Sequence, residues 1–112
     1  MVLLQLKCNI LIVVLKRFDN EGERKNFDIT FPLDNLNLEK YCVGYDKFKS
    51  KYELYAICNH QGDSNFGHYW AYCKNQNGKW YNYNDTEVSE ISEQQIINNS
   101  KKTVYCLFYN KI

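Results

Sequence analysis

Residues 54–85 read LYAICNHQGDSNFGHYWAYCKNQNGKWYNYND and contain both histidines of the 112-residue chain. Leu54, Ala56 and Cys58 alternate with Tyr55, Ile57 and Asn59, the period-two pattern of a strand, and the pattern runs into Asn59-His60-Gln61-Gly62. A polar loop follows, and Gly67-His68-Tyr69 opens a second strand over 69–74. Asn77-Gly78 then predicts a hairpin turn, because glycine accepts the positive φ that such turns require. The third strand, over 79–84, is aromatic and ends in Tyr83-Asn84-Asp85. Three successive strands joined by short turns make this an antiparallel sheet.

The flanks extend the same sheet. Residues 10–15 (ILIVVL) form a strand with apolar side chains on both faces, so it is either central or has one face packed on something else. Lys16-Arg17-Phe18 closes that run, and 19–23 is a turn or loop. A weaker alternation places Phe27, Ile29 and Phe31 on one face of a short strand over 25–31, which Pro32 ends. Residues 33–40 read as an irregular extended stretch anchored by Leu33, Leu36 and Leu38, and 41–51 as a connection into the strand over 52–58. Downstream, 88–91 is a brief strand, and Ser92 caps a helix over 93–98 with Gln95 completing a capping box. A last strand covers 103–109. The expected fold class is α+β: a mostly antiparallel sheet of five or six strands with one short helix.

Composition narrows the function classes. Apolar residues make up 45% and charged ones 24%, which suits one packed domain rather than a disordered chain. The ten tyrosines and six phenylalanines fit half-buried strands. Fourteen basic residues balance thirteen acidic ones with no basic run, so no nucleic-acid partner is expected. The apolar run 10–15 is too short to span a bilayer, and no membrane association is expected. Cys8, Cys42, Cys58, Cys73 and Cys106 are widely spaced, without a CxxC pair, so neither a metal site nor a cofactor is expected. Their odd number, with no secretory leader, points to a reducing, intracellular setting. Two glycosylation-type triplets, Asn84-Asp85-Thr86 and Asn98-Asn99-Ser100, are what an asparagine-rich chain produces by chance.

The hairpin also brings chemistry together. With a loop of about two to four residues, His68 falls opposite a residue between Asp85 and Glu87, and Asn84 or Asp85 can reach its imidazole at a cross-strand spacing of roughly 5 Å. Either side chain would fix the tautomer, leaving the other ring nitrogen to take a proton from a thiol or hydroxyl. A thiol tolerates an uncharged asparagine as the orienting group because it ionises easily. Taken singly, each feature has an ordinary explanation: a surface histidine, a turn after a strand, aromatic cross-strand pairs. Spacing by itself supports proximity and does not choose between Asn84 and Asp85.

The wording of the sequence adds a resemblance. Ile12-Val13-Val14-Leu15-Lys16-Arg17-Phe18 resembles the apolar-then-LKRF segment of the ubiquitin-specific protease family, and 25–41, with Phe31-Pro32, Leu36-Asn37-Leu38 and Tyr41, resembles its next stretch. Tyr52-Glu53-Leu54-Tyr55-Ala56-Ile57 with Asn59-His60-Gln61-Gly62 is similar to YxLxAVxxHxG, Gly67-His68-Tyr69-Trp70-Ala71-Tyr72 to the GHYxAY histidine box, and Trp80 through Val88 to WYxFxDxxV. The end of the chain, Tyr105 to Tyr109, is similar to YxLFY. The resemblance implies the palm half of a papain-like cysteine protease fold. It implies His68 as catalytic base, Asn84 as third triad member and Asp85 as an acidic neighbour that organises the site. It further implies that His60, Gly67 and Tyr69 lie along the channel for the C-terminal tail of ubiquitin.

One part of the family pattern has no counterpart: the cysteine box at the start of a thumb helix. None of the five cysteines matches it, so residues 1–112 are expected to be a partial catalytic domain without cysteine box and thumb, inactive alone. The expected partners are ubiquitin or ubiquitinated proteins and the missing N-terminal part of the catalytic domain. Loss of the thumb would also uncover an apolar face of 10–15 and favour self-association. The competing reading is a non-catalytic ubiquitin-binding or assembly module.

Overall fold

In the computed structural model, which describes residues 9–41, 51–63 and 66–112, the alternating stretch of the histidine region is the longest element. Strand β3 (Lys51–Gly62) carries the alternation through the Asn59-His60-Gln61-Gly62 segment. It pairs with β4 (Gly67–Lys74), which turns into β5 (Trp80–Asn84) and then β6 (Glu87–Ile91). Gly78 sits at φ 80 in the turn between β4 and β5, where its N–H donates to the Asn75 carbonyl at 3.0 Å. The remaining elements are β1 (Ile10–Val14), the two-residue β2 (Leu36–Asn37), a helix α1 (Glu93–Ser100) and β7 (Val104–Lys111). A single 3-10 turn, Glu39–Tyr41, follows β2.

Among the described residues all strand pairings are antiparallel, in the order β1-β7-β3-β4-β5-β6, with β2 against β3. The fold is thus α+β, mostly antiparallel, with one short helix. Ser92 caps α1 as the sequence predicts: its side chain accepts from the Gln95 N–H and the Gln95 side chain accepts from the Ser92 N–H.

Side chains directly opposite in a ladder share a face. One row therefore joins Val13, Leu107, Ile57 and Tyr72, and a parallel row joins Leu11, Tyr109 and Leu54. With Tyr52, Trp80, Ile91, Val104, Leu33 and Ile96 of α1, the buried members of these rows form the core, against which Leu11 and Val13 pack; each fully buried large side chain contributes about 1.5–3 kcal/mol through removal from water. The opposite face carries Val14, Cys106, Cys58 and Ala71 in one row and Ile12, Phe108, Ala56 and Cys73 in the next. That face is only partly covered, and Ile10, Ile12 and Val14 are 50–57% exposed.

Several sequence expectations change here. Of the two positions left open for 10–15 the central one is excluded: β1 lies at one end of the described sheet, and its second apolar face is open, as expected without a cover. Residues 25–31 form no strand. The Lys25 and Phe27 carbonyls instead accept from the Arg17 guanidinium, and Ile29 N–H donates to the Lys101 carbonyl, so the backbone is engaged away from any ladder. Helix α1 runs two residues further than 93–98. Cys8, Cys42 and most of the expected 41–51 connection lie outside the described residues.

Candidate functional site

Strand β4 outruns β5. Its ladder with β5 begins at Ala71↔Tyr83, while its ladder with β3 continues to Gly62↔Gly67, so His68 projects beyond the end of β5. The imidazole is exposed and stacks on Trp70, with ring centroids 5.6 Å apart and planes 20° from parallel. Asn84, half-buried at the end of β5, reaches up to it: His68 Nε2 and Asn84 Oδ1 are 2.7 Å apart. An amide oxygen can only accept, so Nε2 carries the proton and Nδ1 presents a free lone pair.

Of the two candidates left open by spacing, the one that reaches the ring is Asn84. The reason is geometric. Asn84 shares the face of Asn82, which lies opposite Tyr72, two residues along β4 from Trp70. Asp85 takes φ 53 in the tight turn that sends the chain back into β6, and is exposed there. Among the described residues Asp85 makes no hydrogen bond to His68.

Gly67 and Tyr69 flank His68 on the same open stretch of β4, with Tyr69 54% exposed. His60 does not share that surface. It is 1% exposed and enclosed by Phe18 (centroids 5.3 Å), Tyr69 (4.6 Å) and Tyr105 (6.1 Å). Its Nδ1 accepts a 3.2 Å hydrogen bond from Arg24 Nε, and its ring also bonds the Asp63 backbone. Burial and the adjacent Arg24 charge both push the His60 pKa down, which favours the neutral ring.

His60 therefore stands behind the wall that Gly67 forms. A Cβ placed on Gly67 would collide with His60 Nε2, whose ring is packed against Phe18, Tyr69 and Tyr105. Gly67→Ala is expected to destabilise the chain by about 1–3 kcal/mol, the usual cost of overpacking a fixed site, read as a lowered urea midpoint. An unchanged midpoint would mean that the ring moves aside freely.

Among the described residues no thiol lies beside the His68–Asn84 pair. Cys58, Cys73 and Cys106 are free, lie mid-strand on the half-covered face, and have thiol pKa values pushed up by burial, with Cys58 adding to the effect on Cys106. His68 belongs to the other alternation, that of Trp70 and Tyr72, so these thiols point away from it. Among the described residues no group of three or more His, Cys, Asp or Glu side chains could hold a metal ion, and no helix is long and apolar enough to cross a membrane.

Two arginines that pattern reading passed over support the site from behind. Arg17 is fully buried and donates to four carbonyls: Val104 (2.6 Å), Lys25 (3.1 Å), Phe27 (2.9 Å) and Lys101 (3.1 Å). Arg24 bonds His60 Nδ1, the His60 carbonyl and the Lys102 carbonyl. A charged residue between Leu15 and Phe18 was the available sign for Arg17. No local sign marks Arg24, whose partners lie 36 and 78 residues away.

Known proteins are similar to this chain over nearly its whole length. The family model described as "Ubiquitin carboxyl-terminal hydrolase" matches residues 7–109. Ubiquitin carboxyl-terminal hydrolase 4 of Pongo abelii is 42% identical over 106 residues, which is 91% of this chain and 11% of that protein. Ubiquitin carboxyl-terminal hydrolase 31 of Homo sapiens is 34% identical over 129 residues, 92% of this chain and 9% of that protein. Among solved structures, the SAGA Ubp8/Sgf11/Sus1/Sgf73 DUB module bound to ubiquitin aldehyde contains a chain that superposes with a TM-score of 0.77 at 35% identity, over 93% of this chain and 24% of that one. The chain thus spans about a tenth of the length of these two curated relatives.

Proposed function

The chain belongs to the ubiquitin carboxyl-terminal hydrolase family, and from that membership we propose that it supplies the general base and its orienting group to a thiol hydrolase cutting the bond after ubiquitin's terminal glycine. The observation that carries the reading is the 2.7 Å contact between His68 Nε2 and Asn84 Oδ1. It leaves Nδ1 unprotonated and open toward solvent, the state a base needs before it can accept a thiol proton. A cysteine from outside these residues gives that proton to His68, and its sulfur attacks the glycine carbonyl carbon. The carbon–nitrogen bond breaks, the leaving amine takes the proton back from His68, and an acyl thioester remains. Water activated by the same ring then hydrolyses the thioester.

In this reading residues 1–112 are part of a catalytic domain whose cysteine box and thumb lie elsewhere. Gly67 and Tyr69 form a wall of the tail channel, and His60 supports that wall from within. Asp85, next to Asn84 and held in the turn, contributes negative potential near the imidazole. The partners are ubiquitin or its conjugates and the cysteine-bearing part of the domain, without nucleic acid or membrane, and the setting is intracellular. The exposed row Ile10, Ile12 and Val14 offers a surface for self-association in the absence of a cover.

The test uses a ubiquitin C-terminal fluorogenic substrate. The chain alone is expected to give no turnover, because the described thiols face away from His68 and have raised pKa values. Turnover by the chain alone that Cys58→Ala abolishes would overturn the external-nucleophile assignment. Ubiquitin binding with no turnover even when the cysteine-bearing part is supplied would favour a non-catalytic binding module.

A further inference from the structure

We propose that Arg24 is a positioning residue for His68, acting through the His60 ring: its Nε–H occupies His60 Nδ1, which forces the His60 proton onto Nε2, the nitrogen that faces Gly67, the residue before His68. The inference rests on the reading of His68 as the base and adds a residue that the spacing of the histidine hairpin does not contain.

The chain of contacts is short. Arg24 is tied into place by its own backbone, in a β-bridge with Phe18, and by its side-chain bonds to Asn26, the His60 carbonyl (2.8 Å) and the Lys102 carbonyl (2.8 Å). With all those donors committed, the Nε–H arrives at His60 Nδ1 in one orientation. A nitrogen that accepts from a guanidinium cannot itself carry a proton, so the other ring nitrogen must. That Nε2 lies under Gly67, close enough that only a glycine backbone fits above it, and the same ring hydrogen-bonds the Asp63 backbone. Gly62, at φ 110, folds back so that Asp63 N–H donates to the Phe66 carbonyl at 2.8 Å. Asp63, Phe66 and Gly67 are therefore held together against one imidazole. His68 is the next residue after Gly67.

Were Arg24 absent, His60 could take its proton on Nδ1 or on both nitrogens, and a bare Nε2 would no longer donate to the Asp63 backbone. The seat of Gly67 would shift, and with it the angle at which His68 meets Asn84. Lysine could place one N–H near Nδ1 but could not also hold two carbonyls in fixed directions.

Because the chain has two histidines, long-range ¹H–¹⁵N spectra of the intact chain report each ring separately. In the unmodified chain His60 is expected with its proton on Nε2; a proton on Nδ1 would overturn the proposal. In R24A, His60 is expected to lose that fixed tautomer and to protonate at higher pH. The His68 Nε2–H is expected to exchange with water about tenfold faster, the change produced by loosening a single local contact. R24K is expected to recover part of both effects, and it carries the test should R24A lose its dispersed amide spectrum. A His60 ring freed by either variant while His68 exchange stays unchanged would overturn the proposal. N84A separates the two readings: it is expected to remove His68 protection and leave the His60 tautomer intact. If N84A leaves His68 protection in place, it is the Asn84–His68 pair that fails, independently of Arg24.

Discussion

Asn84→Ala is expected to lower kcat/KM for a ubiquitin C-terminal substrate by about 10²–10⁴-fold in the cysteine-containing protein to which this chain contributes, the range found when general-base catalysis is impaired. The loss follows from the tautomer. With Oδ1 gone, nothing holds the proton on His68 Nε2, and a ring protonated on Nδ1 presents a donor where the thiol needs an acceptor. The stacking on Trp70 restrains the plane of the imidazole but does not select a nitrogen.

Three companion variants sharpen the reading. Asn84→Asp keeps an acceptor at the same place and adds charge, so it should retain most of the activity. His68→Ala should lose at least as much as Asn84→Ala, and the double variant should lose little beyond His68→Ala, because groups that act as a unit are not additive. Activity of Asn84→Ala within a few-fold of the parent would remove Asn84 from the machinery and direct attention to Asp85.

The second large effect concerns stability. Arg17→Ala is expected to destabilise the chain by about 3–5 kcal/mol, the range for breaking a buried charged network. Against the ~5–15 kcal/mol that holds a domain folded, that is enough to unfold a substantial fraction of molecules. Four carbonyls lose their donor at once: those of Lys25 and Phe27 on the segment after β1, and of Lys101 and Val104 at the junction of α1 with β7. The guanidinium also lies 5.2 Å from the centroid of the Phe27 ring, a cation–π contact that disappears with it.

Arg17→Lys keeps the charge with three donors for four acceptors and lacks the planar fork, so it should fall between the two. Urea unfolding followed by tryptophan fluorescence measures the difference, since Trp80 is buried in the core and Trp70 packs against it. A loss below about 1 kcal/mol, the net value of one ordinary hydrogen bond, would show that water replaces the guanidinium at these carbonyls.

Local patterns were decisive wherever the partners are close in sequence. Alternation across β3, aromatic residues in β5, Asn77-Gly78 at the turn and Ser92 with Gln95 at α1 each specify their own element, since the interactions that form them span a few residues. The closeness of His68 to Asn84 was legible for the same reason, because both sit on one hairpin. The tertiary structure decided what depends on distant chain segments. It placed β7 between β1 and β3, opened one face of β1, and diverted residues 25–31 from a ladder to the Arg17 guanidinium. It also brought Asn84 rather than Asp85 to the ring through the positive φ of the turn, and seated Gly67 on a histidine whose Nδ1 accepts from an arginine 36 residues away. Periodicity records which face a side chain takes and not what waits there, so buried polar contacts between remote segments leave no local mark.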